Sequence, residues 1–292
     1  MNPVPAPQRA LRFSPRNHHV TRGFIVPIGG GLDKVREPSI LRRFVALCGG
    51  SRARLAIIPT ASSERGTGPG YEEALLELGA RRAVSLPFET RVDCAREDWL
   101  RVIEEADGVF LTGGNQLRLA TVLGGTRLAE LLTEKHREGL HVAGTSAGAA
   151  FLSEHMIAYG DEGSTPHRRM VALSPGLGLT RRIIIDQHFR QRDRLGRLLT
   201  ALAYNPTAIG VGLDEDTAIF LAPDESFEVA GTGGVTVVDP QDVEFSSVDA
   251  LKANEPVTLT NIRVHTLAAG DRFDLATRVA MPAGASVEAK KD

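Results

Sequence analysis

The sequence predicts an α/β fold in three layers, a mostly parallel sheet with helices on both faces and antiparallel strands added toward the C-terminus. Three observations predict it. From Arg22 onward, short apolar runs alternate with amphipathic stretches. The runs are branched or aromatic and bounded by Gly or Pro, as strands buried on both faces are. From about Ala218 the helical stretches cease, and short strand-like runs split by turn residues take over.

The elements follow in order. Phe24–Ile28, Leu55–Ile58, Ala83–Leu86, Gly108–Leu111 and His141–Gly144 read as buried strands. Between them lie helices over roughly 37–49, 71–80, 96–106 and 125–138. Strand and helix in regular alternation build a parallel sheet, and such a sheet carries its site in the loops at the carboxyl ends of its strands. Residues 183–189 form a further buried strand, followed by a helix start within 190–197 and another strand over 208–212. His155 and His167 fall in a region that reads as helix end and loop. Short strands over 218–221, 226–230, 234–238 and 257–262 extend the same domain, because no Pro-, Gly- or Ser-rich linker separates them. The expected organisation is therefore a flexible arm over 1–22 and a single α/β domain over 23–292.

Composition narrows the function classes. The chain has 292 residues, 24% charged and 42% hydrophobic, with a formal net charge of −2, so no global basic field points to nucleic acid or an acidic membrane. The arm carries four arginines, no acid and three prolines among its first seven residues, and it lacks the apolar centre of a signal peptide. No stretch approaches the roughly 18 to 20 apolar residues that span a bilayer. The expectation is a cytoplasmic protein with no membrane or nucleic-acid partner. Cys48 and Cys94 are far apart, without C-x-x-C spacing, and read as two half-buried thiols. No His, Cys, Asp or Glu cluster has metal-ligand spacing, His18 and His19 being adjacent in the arm, so neither metal nor other cofactor is expected.

Chemistry concentrates at four strand ends. Gly29-Gly30-Gly31, Pro59–Ser63, Thr112-Gly113-Gly114-Asn115-Gln116 and Gly144-Thr145-Ser146-Ala147-Gly148 are each small, polar or glycine-rich. A strand that bends directly into a helix strains its apex residue and crowds its neighbours, and the glycines of G-x-S-x-G relieve that crowding. Ser146 then exposes its hydroxyl, while the Ala147 amide at the helix start is free to donate to an oxyanion. The Gly113-Gly114 loop would supply the second donor, and Asn115 or Gln116 could bind a substrate amide or carboxylate. A phosphate cradle fits less well, since G-x-x-x-x-G-K-[ST] is absent and Gly29-Gly30-Gly31 lacks the G-x-G-x-x-G spacing. For a base, His188 ends the strand Ile183–Phe189 and is delivered to the same rim. Arg190, Arg192, Arg194 and Arg197 follow it, either as a solvated basic face or as clamps for an acidic substrate.

These residues together resemble the cyanophycinase family. The segments that carry the resemblance are Thr112–Arg118, Gly144–Ala150, Asp186-Gln187-His188-Phe189 with its arginines, Gly212–Ala218, Ile262–His265 and Gly270–Leu275, and they cover about Gly23 to Thr277 in matching order. Cyanophycinases are serine exopeptidases related to the dipeptidase E group. The resemblance implies a class I glutamine amidotransferase-like, flavodoxin-like architecture. It also implies cleavage of cyanophycin, a poly-aspartate bearing arginine on each side-chain carboxyl, to β-Asp-Arg dipeptides by a homodimer. Carried over by position, Ser146 is the nucleophile and His188 the general base, with Gly114 and Ala147 as oxyanion amides. Gln116, Asp186, Gln187, Arg192, Arg194 and Arg197 fall on substrate-pocket positions, with Asp186 or Glu162 accepting the substrate guanidinium.

One position departs from that pattern. The resemblance places an orienting glutamate shortly after the nucleophile, and Ser164 in Gly163-Ser164-Thr165-Pro166 stands in its place. Three outcomes are open. Glu162 takes the role after a local shift, as the third catalytic member. Asp214 or Glu215, after the strand 208–212, takes it instead. Or no acid does, leaving a slow enzyme, a dipeptidase for aspartyl or isoaspartyl peptides, or a binding protein. A glutamine amidotransferase would need cysteine where Ser146 stands.

Overall fold

The computed structural model describes residues 21–34 and 36–284, so most of the arm, with His18 and His19, lies outside the described residues. The first half of the chain runs β1 (Ile25–Ile28), α1 (Ser39–Leu47), β2 (Arg54–Ile58), α2 (Thr67–Glu77), β3 (Arg82–Ser85), α3 (Glu97–Glu104), β4 (Gly108–Leu111), α4 (Gln116–Leu123), α5 (Arg127–Arg137), β5 (His141–Thr145) and α6 (Ala147–Phe151). The second half runs β6 (His155–Gly160), β7 (Val171–Pro175), β8 (Ile183–Gln187), α7 (Leu195–Tyr204), β9 (Ile209–Leu213), β10 (Thr217–Leu221), β11 (Ser226–Gly231) and β12 (Val235–Asp239). It ends with β13 (Phe245–Ser246), β14 (Leu259–Thr260), β15 (Arg263–Leu267), β16 (Arg272–Asp274) and β17 (Val279–Met281).

A nine-stranded sheet in the order β17-β16-β11-β10-β1-β5-β4-β2-β3 forms the centre. β1, β5, β4, β2 and β3 are mutually parallel, while β10, β11, β16 and β17 extend the β1 edge antiparallel. Successive strand residues point to opposite faces. Leu55 and Ile57 of β2 accordingly pack with α1 and α2, whereas Ala56 and Ile58 pack into the core shared with α3 to α6. The α/β class and the late antiparallel strands are those the sequence predicts.

Strands of the second half are shared between two sheets. β8 and β9 pair in parallel with each other and belong to a second, four-stranded sheet, β15-β12-β9-β8. One face of that sheet, carrying Ile183, Ile185, Val211 and Val237, enters the main core, and the other, with Ile184 and Val238, is covered by α7. β9 and β10 therefore lie in different sheets, and the three residues Asp214-Glu215-Asp216 cross between them. Asp216 turns the corner with φ 49°. The Gly29 amide ties the end of β1 to Thr217 O at 2.8 Å on the far side of the crossing.

Local details refine these expectations. Helix α4 begins at Gln116, directly after the glycine loop, because the Asn115 side chain caps it by accepting from the Leu117 amide at 2.9 Å. The region of His155 and His167 holds the hairpin of β6 and β7, bulged between Ile157 and Tyr159. Helix α7 starts at Leu195, inside the expected window 190–197 but late in it, since Arg190–Arg192 makes a separate 3₁₀ turn that Asp193 ends in the left-handed region at φ 44°. Cys48 and Cys94 are unpaired and fully buried rather than half-buried. Among the described residues no helix is long and apolar enough to cross a membrane.

Candidate active site

The site begins as a steric problem solved by glycine. β5 ends at Thr145 and α6 begins at Ala147, leaving Ser146 alone to make the turn at φ 52°, ψ −114°. A non-glycine residue in that region is strained by about 1–3 kcal/mol, and the packing around it must hold it there. The packing leaves no room for side chains: a Cβ on Gly144 would lie 2.4 Å from Gly148 O, and one on Gly148 would lie 2.4 Å from Leu111 O. Gly114, at φ 138°, passes so close to the loop after β2 that a Cβ would sit 2.1 Å from Ala61 O. The Gly114 and Ala147 amides make no hydrogen bond among the described residues, and both loops line one cavity with Ser146. The arrangement leaves two donors free beside the hydroxyl, as an oxyanion requires.

His188 arrives from the second sheet. Its backbone follows β8 at φ 50°, and its amide bonds Gly29 O at 2.7 Å, pinning the end of β8 to the end of β1. The imidazole then stands between two partners. Its Nε2 is 2.9 Å from Ser146 Oγ, and its Nδ1 is 2.6 Å from Glu215 Oε1. The Gly29-Gly30-Gly31 loop forms the wall behind both: a Cβ on Gly30 would reach 2.4 Å from His188 Nε2, and one on Gly31 would come 2.9 Å from Glu215 Cδ. Burial pushes the His188 pKa below its usual range, the Glu215 carboxylate opposes that, and Arg192 and Arg194 add to the lowering. The net effect keeps the ring neutral, with Nδ1–H donated to the carboxylate and Nε2 open as a base.

The acid at Nδ1 is thus Glu215, on the crossing between the sheets, and not Glu162 or Ser164. Those two are exposed on the loop after β6. That loop is anchored to the start of α7, with the Gly163 amide on Asp193 O at 2.6 Å and the Gly196 amide on Gly163 O at 2.9 Å. Glu162 acts electrostatically on Arg194, and among the described residues the His188 ring bonds Ser146 and Glu215 and not Ser164. Asp214, the other candidate after β9, is held by the Arg190 amide and Nε and by the Gly234 amide.

The arginine cluster sorts itself by burial. Asp186 and Arg197 are 1% and 3% exposed and pair with each other, through Nε at 2.7 Å to Oδ2 and a second bond from Nη2 to Oδ1. Two groups so matched hold β8 to α7 and have little left for a ligand. Arg194 Nη1 donates to Gln187 O and, at 3.0 Å, to Gln187 Oε1, which fixes the amide 3.5 Å from Ser146 Oγ. Burial first, and then the Arg197 charge, lower the Arg194 pKa to about 10, so it remains a cation at neutral pH. Arg194 Nε is buried without a protein partner. The Gln116 amide donates to Ile157 O and Ala158 O at 3.2 and 2.8 Å, bracing α4 against β6. Arg192 is exposed, and its side chain has no hydrogen-bond or ion-pair partner among the described residues.

A serine at a strand-to-helix elbow, an imidazole on its oxygen and a carboxylate behind the imidazole define the class of serine hydrolases, whatever fold carries them. The comparisons sharpen the class. Residues 25–229 match Peptidase family S51, and the chain belongs to that family. It is a serine-type peptidase. It is 42% identical over 277 residues to the cyanophycinase of Trichormus variabilis, covering 94% of this chain and 93% of that one. It is 40% identical over 262 residues to the cyanophycinase of Geminocystis herdmanii, covering 89% and 96%. The fold is similar to that of a peptidase from an acI-B1 actinobacterium, with a TM-score of 0.60 at 20% identity over 85% of this chain and 98% of that one. A putative peptidase E protein from Listeria monocytogenes aligns with a TM-score of 0.51 at 16% identity, over 73% and 100%.

Proposed function

We propose that this peptidase is an exopeptidase of cyanophycin, releasing β-Asp-Arg from the poly-aspartate backbone through an acyl-enzyme on Ser146. The observation that carries the mechanism is the single imidazole bonded to both Ser146 Oγ at 2.9 Å and Glu215 Oε1 at 2.6 Å. The relatives named cyanophycinase, matched over nine-tenths of the chain, support the substrate.

In this reading His188 Nε2 takes the Ser146 proton as Oγ attacks a backbone carbonyl of the polymer. Glu215 holds the ring in the Nδ1–H tautomer and stabilises the imidazolium that forms. The Gly114 and Ala147 amides receive the oxyanion, and the imidazolium passes its proton to the leaving amine. Water then enters in place of the amine and hydrolyses the ester by the same route. Gln187, close to Ser146 Oγ, and Arg192 and Arg194, which act electrostatically on His188, are the residues that would recognise the aspartate and arginine carboxylates, while Asp186, Arg197 and Gln116 hold the frame. The resemblance also carries a homodimer, which sedimentation would show at twice the 31.4 kDa chain mass, and the cytoplasm is the compartment proposed for it. Steady-state kinetics on purified polymer and on aspartyl dipeptides test the substrate. Release of β-Asp-Arg from the polymer is expected, whereas turnover of dipeptides with the polymer untouched would make the protein a dipeptidase.

A further inference from the structure

The Ser146 cavity does not end at the catalytic loops. It encloses about 670 Å³ and shares Ser62, Ser63, Glu64 and Arg118 with a second cavity of about 500 Å³. The second lies over the carboxyl ends of β2 and β3, walled by Pro59, Pro69, Pro87 and Phe88. Its polar lining has both signs of charge, with Arg118 at the shared wall and Glu89 on the far side, after β3. Among the described residues the Glu64 and Glu89 carboxylates have no hydrogen-bond or ion-pair partner, unlike Glu72, which accepts from the Ser85 amide. Arg118 donates from Nη1 to Ser62 O at 3.1 Å, and its remaining N–H groups have no protein partner. This half-buried cation stands where the two cavities join.

Such a lining suits a group with an anion at one end, an apolar stem and a flat cation at the other. Prolines cover methylenes, a guanidinium fork matches a carboxylate, and a glutamate matches a guanidinium. An arginine joined through its α-amine has that form, its carboxylate free and its guanidinium at the end of three methylenes. Resting on the proposed function, we infer that the second cavity is a subsite for another arginyl arm of the same polymer, with Arg118 binding the arm's carboxylate and Glu89 its guanidinium. A polymer engaged at two arms is held in register over Ser146 by groups remote from the cleaved bond.

The test measures binding of defined oligomers, of increasing numbers of β-Asp-Arg units, to the inactive Ser146→Ala protein and to the same protein carrying Glu89→Gln or Arg118→Gln. Affinity rises in a step once an oligomer is long enough to place the second arm. Either substitution lowers affinity for those longer oligomers about tenfold, the worth of one charge-assisted contact, and leaves the shortest unchanged. Amidating the arm carboxylates weakens the longer oligomers less against Arg118→Gln than against its parent. Glu89 is exposed and its carboxylate has no protein partner, so its variant keeps the fold even if Arg118→Gln loosens the Ser62 loop. Equal affinity at every length, or an equal loss at every length, overturns the subsite. Failure of the wild-type protein to cleave the polymer would instead overturn the function on which the subsite rests.

Discussion

His188 Nδ1 lies 2.6 Å from Glu215 Oε1, joining the end of one sheet to the segment that crosses to the other. Replacing Glu215 by glutamine keeps the shape of the side chain but removes the charge that stabilises imidazolium. Turnover is expected to fall roughly 10⁴-fold, the scale of such a loss in triad enzymes. Glu162→Gln, on the loop after β6, is expected to leave turnover within about twofold, as surface changes away from a site do. Comparable losses in both variants, measured by product release, would contradict the assignment.

The dependence of kcat/KM on pH reports His188, because only the neutral ring accepts the serine proton. Its pKa lies below the usual histidine value of about 6.5, so activity is expected to be flat above neutrality and to fall on the acid side. Arg192 lowers that pKa, so Arg192→Gln moves the acid limb to higher pH. Glu215 raises it, and Glu215→Gln moves the limb to lower pH in whatever activity remains. Shifts in the reverse directions would show that another group sets the limb.

Gly30 is the residue against which the imidazole rests. Alanine there would place a methyl 2.3 Å from His188 Cε1 on a backbone at φ 98°, so the ring must move away. A displacement of about 1 Å costs on the order of 10² in rate. The expected result is a fall of that size in kcat with little change in KM. Gly70→Ala, whose methyl meets open space in α2, serves as the control and should keep full activity.

Asp186 and Arg197 are expected to act on stability. Removing one member of a buried pair strands the other, at a cost of about 3–5 kcal/mol. Denaturant unfolding of Asp186→Ala should show a loss of that order, against less than about 0.5 kcal/mol for the exposed Glu162→Gln. If the Asp186 variant folded as stably as the wild type and only its KM rose, the carboxylate would belong to the substrate.

Much of this site is legible in the sequence because its parts end strands. Ser146, Gly113-Gly114 and His188 each close an apolar run, and the rule that parallel strands carry function at their carboxyl ends brings them together. Glu215 is legible only as one of several candidate acids, paired with Asp214 after the strand 208–212 and alongside Glu162. Its run, β9, reads like any other strand, and nothing in its composition tells that β9 and β10 lie in different sheets. Only that division turns Asp214-Glu215-Asp216 into a bridge beside His188. The Gly29-Gly30-Gly31 triplet reads as a strand-end loop, but its service as the wall behind the imidazole depends on the end of β8 meeting the end of β1. The arginines were readable as a cluster. Which of them face a ligand depended on Asp186, whose burial only the fold discloses.

One relay, Ser146 to His188 to Glu215, is proposed to perform the peptide cleavage. Its most direct test is mass analysis of products from purified cyanophycin incubated with the wild-type protein and with Ser146→Ala. The relay predicts β-Asp-Arg from the wild type and a loss on the order of 10⁶-fold in the variant. Release of the dipeptide by Ser146→Ala at a rate near that of the wild type would contradict it.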